Sequence, residues 1–207
     1  EEMKLKELGF STKAAAASLP FFLAIVSGVN ILPYLLTLLT EATAEISYGG
    51  FNSPGTWLGR AATVWVFVGL AEELAFRGYL QTKTINNLPL EGRKRITLGI
   101  ILSSIFFSII HIPQRIYIQN ISLNLVTQSL IQLTLIGIIF GSIYSLTNNL
   151  VLTGLLHGAW DVKPFFMSIY LPDNASSIMN LVILSSIFIP VLLGITGYYY
   201  WIRGKKL

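Results

Sequence analysis

The sequence predicts an all-α fold, a polytopic membrane bundle of about six transmembrane helices around an intramembrane active-site cavity. Three observations predict it. Apolar residues make up 53% of the 207-residue chain and charged residues only 12%, where a soluble domain carries about 25% charged residues. Mean hydropathy is +0.66, so a soluble fold could not cover its own surface. Six stretches also approach the ~20 mostly apolar residues that a spanning helix needs.

The first predicted span covers about Leu19 to Leu39, with Pro20 near its start and a kink expected at Pro33. Glu41, Glu45, Gly49-Gly50 and Asn52-Ser53-Pro54-Gly55 then read as a polar, turn-rich loop. Span two runs from about Trp57 to Leu80, and a basic connection with Lys83, Pro89 and Arg93-Lys94-Arg95 follows. Span three covers about Ile96 to Ile112 and meets Pro113; a short linker with Arg115 and Asn120 leads to span four, about Leu123 to Leu146. Asn148-Asn149 reads as a tight turn. Span five is expected from about Leu150 to Leu171, where Pro172-Asp173-Asn174 breaks it. Span six covers about Ile178 to Ile202 and ends in Tyr198-Tyr199-Tyr200-Trp201, an interfacial aromatic belt.

The basic residues test this count. Lys4, Lys6 and Lys13 precede span one, Lys83, Arg93, Lys94 and Arg95 lie between spans two and three, and Arg203, Lys205 and Lys206 follow span six. Alternate loops share a side, so these clusters fall together, whereas the opposite loops hold Arg115 alone with Glu41, Glu45 and Asp173. Both termini are therefore expected in the cytoplasm, and the net charge of +4 reports topology rather than a nucleic-acid partner. One domain, residues 1–207, is the expectation for this length. There are no cysteines, which excludes disulfides, thiolate metal sites and a cysteine nucleophile. The chain begins Glu1-Glu2-Met3, which implies a trimmed or truncated start, and no cleavable signal stands out.

Charges in the bilayer core cost several kcal/mol, roughly 2.5–3.5 on insertion scales, and mark function by default. Span two contains Glu72-Glu73-Leu74-Ala75-Phe76-Arg77. Glu73 and Arg77 are four apart and share a helix face, so they can pair. Glu72 is rotated ~100° from Glu73 and finds no partner three or four residues on. It needs one from another helix, or water. His111 follows Phe107 by four in span three, and His157 precedes Asp161 by four in span five. Two histidines, an unpaired glutamate and an aspartate suffice to activate water, with or without a metal. Taken singly, each has a plain structural reading: a Glu–Arg pair as glue, a histidine as a packing residue, Phe106-Phe107 as helix packing, Arg93-Lys94-Arg95 as a headgroup anchor. Apart from edge residues such as Arg60 and Lys163, however, the ionisable groups in the spans come from three segments and are chemically complementary.

Those motifs, Glu72-Glu73-x-x-x-Arg77, Phe107-x-x-x-His111 and His157-x-x-x-Asp161, resemble the three signatures of the CPBP family of CAAX proteases and bacteriocin-processing enzymes, also called the ABI family. The resemblance covers about residues 57–170. It implies an intramembrane endopeptidase related to the enzymes that cut the C-terminal tripeptide from prenylated proteins, acting on a peptide or membrane-anchored protein at the bilayer. It further implies that Glu72 is the base that activates water, that Glu73 and Arg77 support the site, that His111 orients the water, and that His157 with Asp161 stabilises the oxyanion. Asp161 departs from the asparagine usual in the prenyl-protein enzymes; ionised, it cannot donate a hydrogen bond. It is then protonated, orients His157 or binds a metal. No H-E-x-x-H is present, yet Glu72, His111, His157 and Asp161 form a donor set compatible with zinc. The cofactor stays open between zinc and a metal-free glutamate mechanism.

Two other readings compete: a non-catalytic membrane partner such as a bacteriocin-immunity protein or scaffold, and a small transporter with a proton relay. The full motif set favours the enzyme, and no internal repeat suggests a transporter. One tension remains in the span count. Glu72 and His157 fall toward the cytoplasmic half of their spans. His111 lies ~15 residues, about 22 Å, past the start of span three. Span three is therefore expected to begin inside the cytoplasm near Arg93, or to tilt.

Overall fold

The computed structural model describes residues 6–39, 43–46, 53–162, 167–170 and 177–204. Glu1 to Met3, Lys4, Glu41, Gly49-Gly50, Asn52, Lys163, Pro172-Asp173-Asn174, Lys205 and Lys206 lie outside them. In chain order the described elements are α1 (Thr12–Thr37), β1 (Thr43–Ile46), a helix α2 over 54–87, α3 (Gly92–Ile110), a π turn (Gln114–Ile118), α4 (Leu123–Thr147), α5 (Leu150–Val162), β2 (Met167–Tyr170) and α6 (Ser177–Gly204).

Each of the six predicted spans corresponds to one helix, with two corrections. By length and composition, Thr12–Thr37, Gly92–Ile118 and Leu125–Thr147 can each cross a membrane. Span five, expected to reach Leu171, has its described helix end at Val162 after 13 residues, about 20 Å at helical rise. Pro164 follows two residues later, and proline lacks the N–H that a continuing helix needs. Beyond it, Met167–Tyr170 is a strand, paired antiparallel with Thr43–Ile46 in the register Thr43 to Tyr170 and Ile46 to Met167. The fold is thus not purely helical: a short ribbon joins the segments after α1 and after α5.

Local chemistry explains the helix ends. Ser11 caps α1 by accepting the Ala14 N–H at 3.1 Å, and Ser53 caps α2 ahead of Pro54 in its first turn. α2 runs as α-helix from Pro54, widens to π-helix over Val64–Leu70, returns to α for Ala71–Glu73, and widens again over Leu74–Gln81. The Glu pair therefore sits between two π stretches, a distortion common at functional sites. At the end of α4, Asn148 adopts φ +46° and its N–H reaches the Tyr144 carbonyl at 2.7 Å, a left-handed cap suited to asparagine. Asn149 Oδ1 then accepts the Leu152 N–H at 3.0 Å and starts α5, so the expected turn is present.

Small residues set the helix spacing. Gly69 on α2 stands against Gly154 and Gly158 on α5, so close that an added Cβ would lie 2.4 Å from the Gly154 carbonyl oxygen. Small faces of this kind let membrane helices approach backbone to backbone. The apolar core joins Phe22, Ile25 and Val29 of α1 to Phe140 and Ile143 of α4, Leu152 and Leu156 of α5 and Tyr198 of α6. Leu19, Leu23, Phe67, Phe106, Ile139 and Leu193 point outward and exposed, as lipid-facing residues do.

The ends of the bundle sort as the span count requires. Asn149 Nδ2 donates to Ser18 Oγ at 2.8 Å and to the Tyr198 hydroxyl, which ties the start of α1, the α4–α5 turn and the last turns of α6 together. Gln81 Nε2 donates to the Gly141 carbonyl at 3.0 Å and to Ser145 Oγ at 3.0 Å, bringing the α2–α3 corner to that same end. The segments bearing Lys6, Lys13, Lys83 and Arg93-Lys94-Arg95 are thereby gathered at one end, and the ribbon joins two of the loops that the span count puts at the other. The depth of His111 also resolves. Gln81 and Ile100 both flank Gly141. From that level Glu72 is nine residues back along α2 and His111 is eleven along α3, about 13 Å and 16 Å. The first turns of α3, packed on Ile85 of α2, lie beyond it.

Candidate active site

Helix α2 carries the acidic pair on two different faces, and each carboxylate meets a different environment. Glu73 is fully buried and binds twice. Its Oε2 lies 3.2 Å from Arg77 Nε, one turn on, and its Oε1 lies 2.8 Å from His157 Nδ1 on α5. Arg77 is also fully buried, with its guanidinium carbon 5.0 Å from the centre of the Phe107 ring, an attractive cation–π placement. A buried carboxylate facing Arg77 acts as acceptor, so His157 Nδ1–H donates to it and leaves Nε2 free on the other side of the ring.

That free nitrogen faces Glu72. His157 Nε2 and His111 Nε2 each lie 3.8 Å from Glu72 Oε2. His111 is set in the same way as His157, by a bond at its other nitrogen: Nδ1 is 2.7 Å from the Phe107 carbonyl oxygen, which only accepts, so Nδ1 carries the proton. His111 is the residue that closes α3, and the i to i+4 spacing Phe107-x-x-x-His111 is what brings its ring onto that carbonyl. Asp161, one turn after His157, has Oδ2 at 3.6 Å from His157 Nε2. Of the three readings left open for Asp161, orienting His157 is the one that Glu73 is better set for, since its contact at Nδ1 is the shorter.

All six residues picked from the sequence therefore meet in one cluster drawn from α2, α3 and α5. Exposure rises across it, from 0% at the Glu73 and Arg77 side chains to 29% at Glu72 and 37% at Asp161. One side of the cluster is sealed and the other open.

Two aromatic residues complete it. Phe107, expected to be a packing residue, is at the centre: 4.5 Å from the His111 ring, 6.1 Å from His157 and 4.9 Å from Phe76 between ring centroids. Phe140 of α4 stacks on the His157 imidazole at 5.0 Å and 18°. Sequence reading missed Phe140, because α4 offers no charged residue or histidine and no motif to single out one phenylalanine.

Among the described residues no group of three or more His, Cys, Asp or Glu side chains is arranged to hold a metal ion. The zinc-compatible set read from the sequence, Glu72, His111, His157 and Asp161, is therefore not arranged as a metal site among the described residues.

Comparison with known families places these elements. The profile of the Rce1-like type II CAAX prenyl endopeptidases matches residues 54–163, just over half of the chain and a stretch that contains every residue of the cluster. No curated protein and no solved structure shows significant similarity to the chain. With the family match over α2 to α5 and the long apolar helices around them, the chain is an integral membrane protein that belongs to the Rce1-like family of CAAX-type intramembrane proteases.

Proposed function

We propose that this protein is an intramembrane endopeptidase in which Glu72 activates water for attack on a peptide bond. One observation carries the reading. Glu72, which has no partner on its own helix, faces the Nε2 atoms of both histidines at 3.8 Å, while every competing hydrogen bond of those rings is taken up at Nδ1. A gap of 3.8 Å is too long for a hydrogen bond and suits an oxygen that touches both sides.

The steps follow from the atoms available. Water held between Glu72 Oε2 and His111 Nε2 donates one hydrogen to each and presents a lone pair to the scissile carbonyl carbon. Glu72 takes the proton as the C–O bond forms. His157, held as an imidazolium against the Glu73 carboxylate, directs Nε2–H at the developing oxyanion, and a protonated Asp161 gives a second donor. Glu72 then passes its proton to the leaving amine as the C–N bond breaks. No metal enters. The substrate is a peptide or membrane-anchored protein that reaches the open, Asp161 side. The basic segments gathered at one end support a cytoplasmic position for both termini.

The test is cleavage of a lipidated peptide by purified protein in lipid nanodiscs. Wild type should cut and folded Glu72→Gln should not. Equal cleavage by the two proteins would remove Glu72 from the chemistry, and absence of cleavage by either would favour a non-catalytic membrane role.

A further inference from the structure

A cleft of about 710 Å3 lies at the basic end of the bundle, and none of the six cluster residues lines it. Its origin is legible in the sequence. α1 begins with the run Ala14-Ala15-Ala16-Ala17, and Ala14, Ala16 and Ala17 line the cleft. Their short side chains leave space between α1 and the last turns of α6. Beside them Phe21 meets Tyr198 at 5.2 Å and Trp201 at 5.7 Å between ring centroids, so one wall is aromatic. Asn149 stands on the buried side, with its side-chain amide spent on Ser18 and Tyr198. Lys13 is the charged residue of the lining. It is exposed and pairs with no carboxylate among the described residues.

A lysine at this end serves as a headgroup anchor without any cavity beside it. Here the cation borders a cleft with an apolar wall, and the rings of that wall are of the kind that sit at the depth of lipid headgroups. In a membrane protein, the molecule that brings acyl chains to such a wall and an anion to such a lysine is a phospholipid of net negative charge. We propose that the cleft binds one anionic phospholipid, with the headgroup phosphate at Lys13 and the upper acyl chains along Ala17 and Phe21, against the Trp201 ring. Basic pockets between spanning helices take anionic headgroups in this way, and the volume lies within the roughly 300–1,000 Å3 of ligand sites. A zwitterionic lipid fits the same wall, but its headgroup carries its own cation and gains less from Lys13. The site lies at the junction of α1, α5 and α6 and makes no use of the peptidase reading, so the two stand or fall separately.

The test is tryptophan fluorescence of the full-length protein in phosphatidylcholine nanodiscs doped with dibrominated phosphatidylglycerol or dibrominated phosphatidylcholine. The Trp201 signal is the part of the quenching that Trp201→Phe loses. In wild type the brominated phosphatidylglycerol should reach half-maximal quenching at about a fivefold lower mole fraction, the effect of one cation near an anionic headgroup. Lys13→Gln should bring that ratio to about one, and Lys13→Arg should keep it. Ala16→Phe leaves every charge in place and fills the cleft, so it should also erase the preference. Equal quenching by the two lipids in wild type overturns the site. A preference that survives Lys13→Gln or Ala16→Phe overturns it too, as diffuse attraction to the basic end. Equal quenching together with pairing of two chains that Ala16→Phe abolishes would give the cleft to a second copy instead.

Discussion

Glu72 and Glu73 are adjacent in the chain and opposite in circumstance. Glu73 is sealed, bonded to Arg77 and to His157 Nδ1. Glu72 is partly open and has only long contacts to two Nε2 atoms. A rotation of ~100° about α2 separates a carboxylate that builds the site from one free to react. The comparison teaches that burial alone does not mark a group that can react: Glu73 is held by a buried ion pair and a histidine bond, and Glu72, with only long contacts, has room to take a proton.

The largest expected effect breaks the open side. Glu72→Gln should lower kcat by roughly 10²–10⁴, the range for loss of a general base, while the thermal midpoint in detergent stays at the wild-type value. A fall in both would make Glu72 a structural residue. Next comes the sealed side. Glu73→Leu alone strands Arg77 and should destabilise by about 3–5 kcal/mol, read as loss of monodisperse protein on heating.

A sharper contrast comes from removing both charges. The Arg77 terminal nitrogens have no hydrogen-bond partner among the described residues, so the pair's attraction does not fully offset its desolvation. Glu73→Leu with Arg77→Met should recover wild-type stability, because an apolar pair of similar size often replaces a buried ion pair without loss. Its activity should stay low, since His157 then lacks its Nδ1 acceptor. Recovery of activity together with stability would mean that the pair serves folding only.

Smaller effects refine the picture. Phe140→Leu removes the ring stacked on His157 and should reduce kcat/KM about threefold to tenfold, the worth of one aromatic contact, with Phe140→Tyr restoring it. Chelator treatment followed by dialysis should leave the cleavage rate unchanged. A rate that falls and returns with added zinc would replace the metal-free mechanism.

Much of this was legible in the chain. Six apolar stretches gave the helices, because bilayer thickness fixes span length and each backbone polar group must be satisfied inside its own segment. The charge argument found all six residues of the cluster, because an ionised group in hydrocarbon is too costly to be there by accident. The i to i+4 spacing of Glu73 and Arg77 announced their pairing, and the lack of such a partner marked Glu72. Less legible was the end of α5: a strand over Met167–Tyr170 depends on Thr43–Ile46, which is distant in sequence, and an apolar run does not by itself distinguish helix from strand.

Composition, spacing and the cost of buried charge thus determined the membrane bundle, the residue types of the cluster and the lack of a partner for Glu72 on its own helix. Only the tertiary structure decided which nitrogen of each histidine faces Glu72, that Glu73 rather than Asp161 orients His157, and that Phe140 lies on its ring. Those outcomes depend on the close approach of α2 to α5 through Gly69, Gly154 and Gly158 and on the offset of α3 along α2. Periodicity within one helix carries no information about its distance from, or its level against, another.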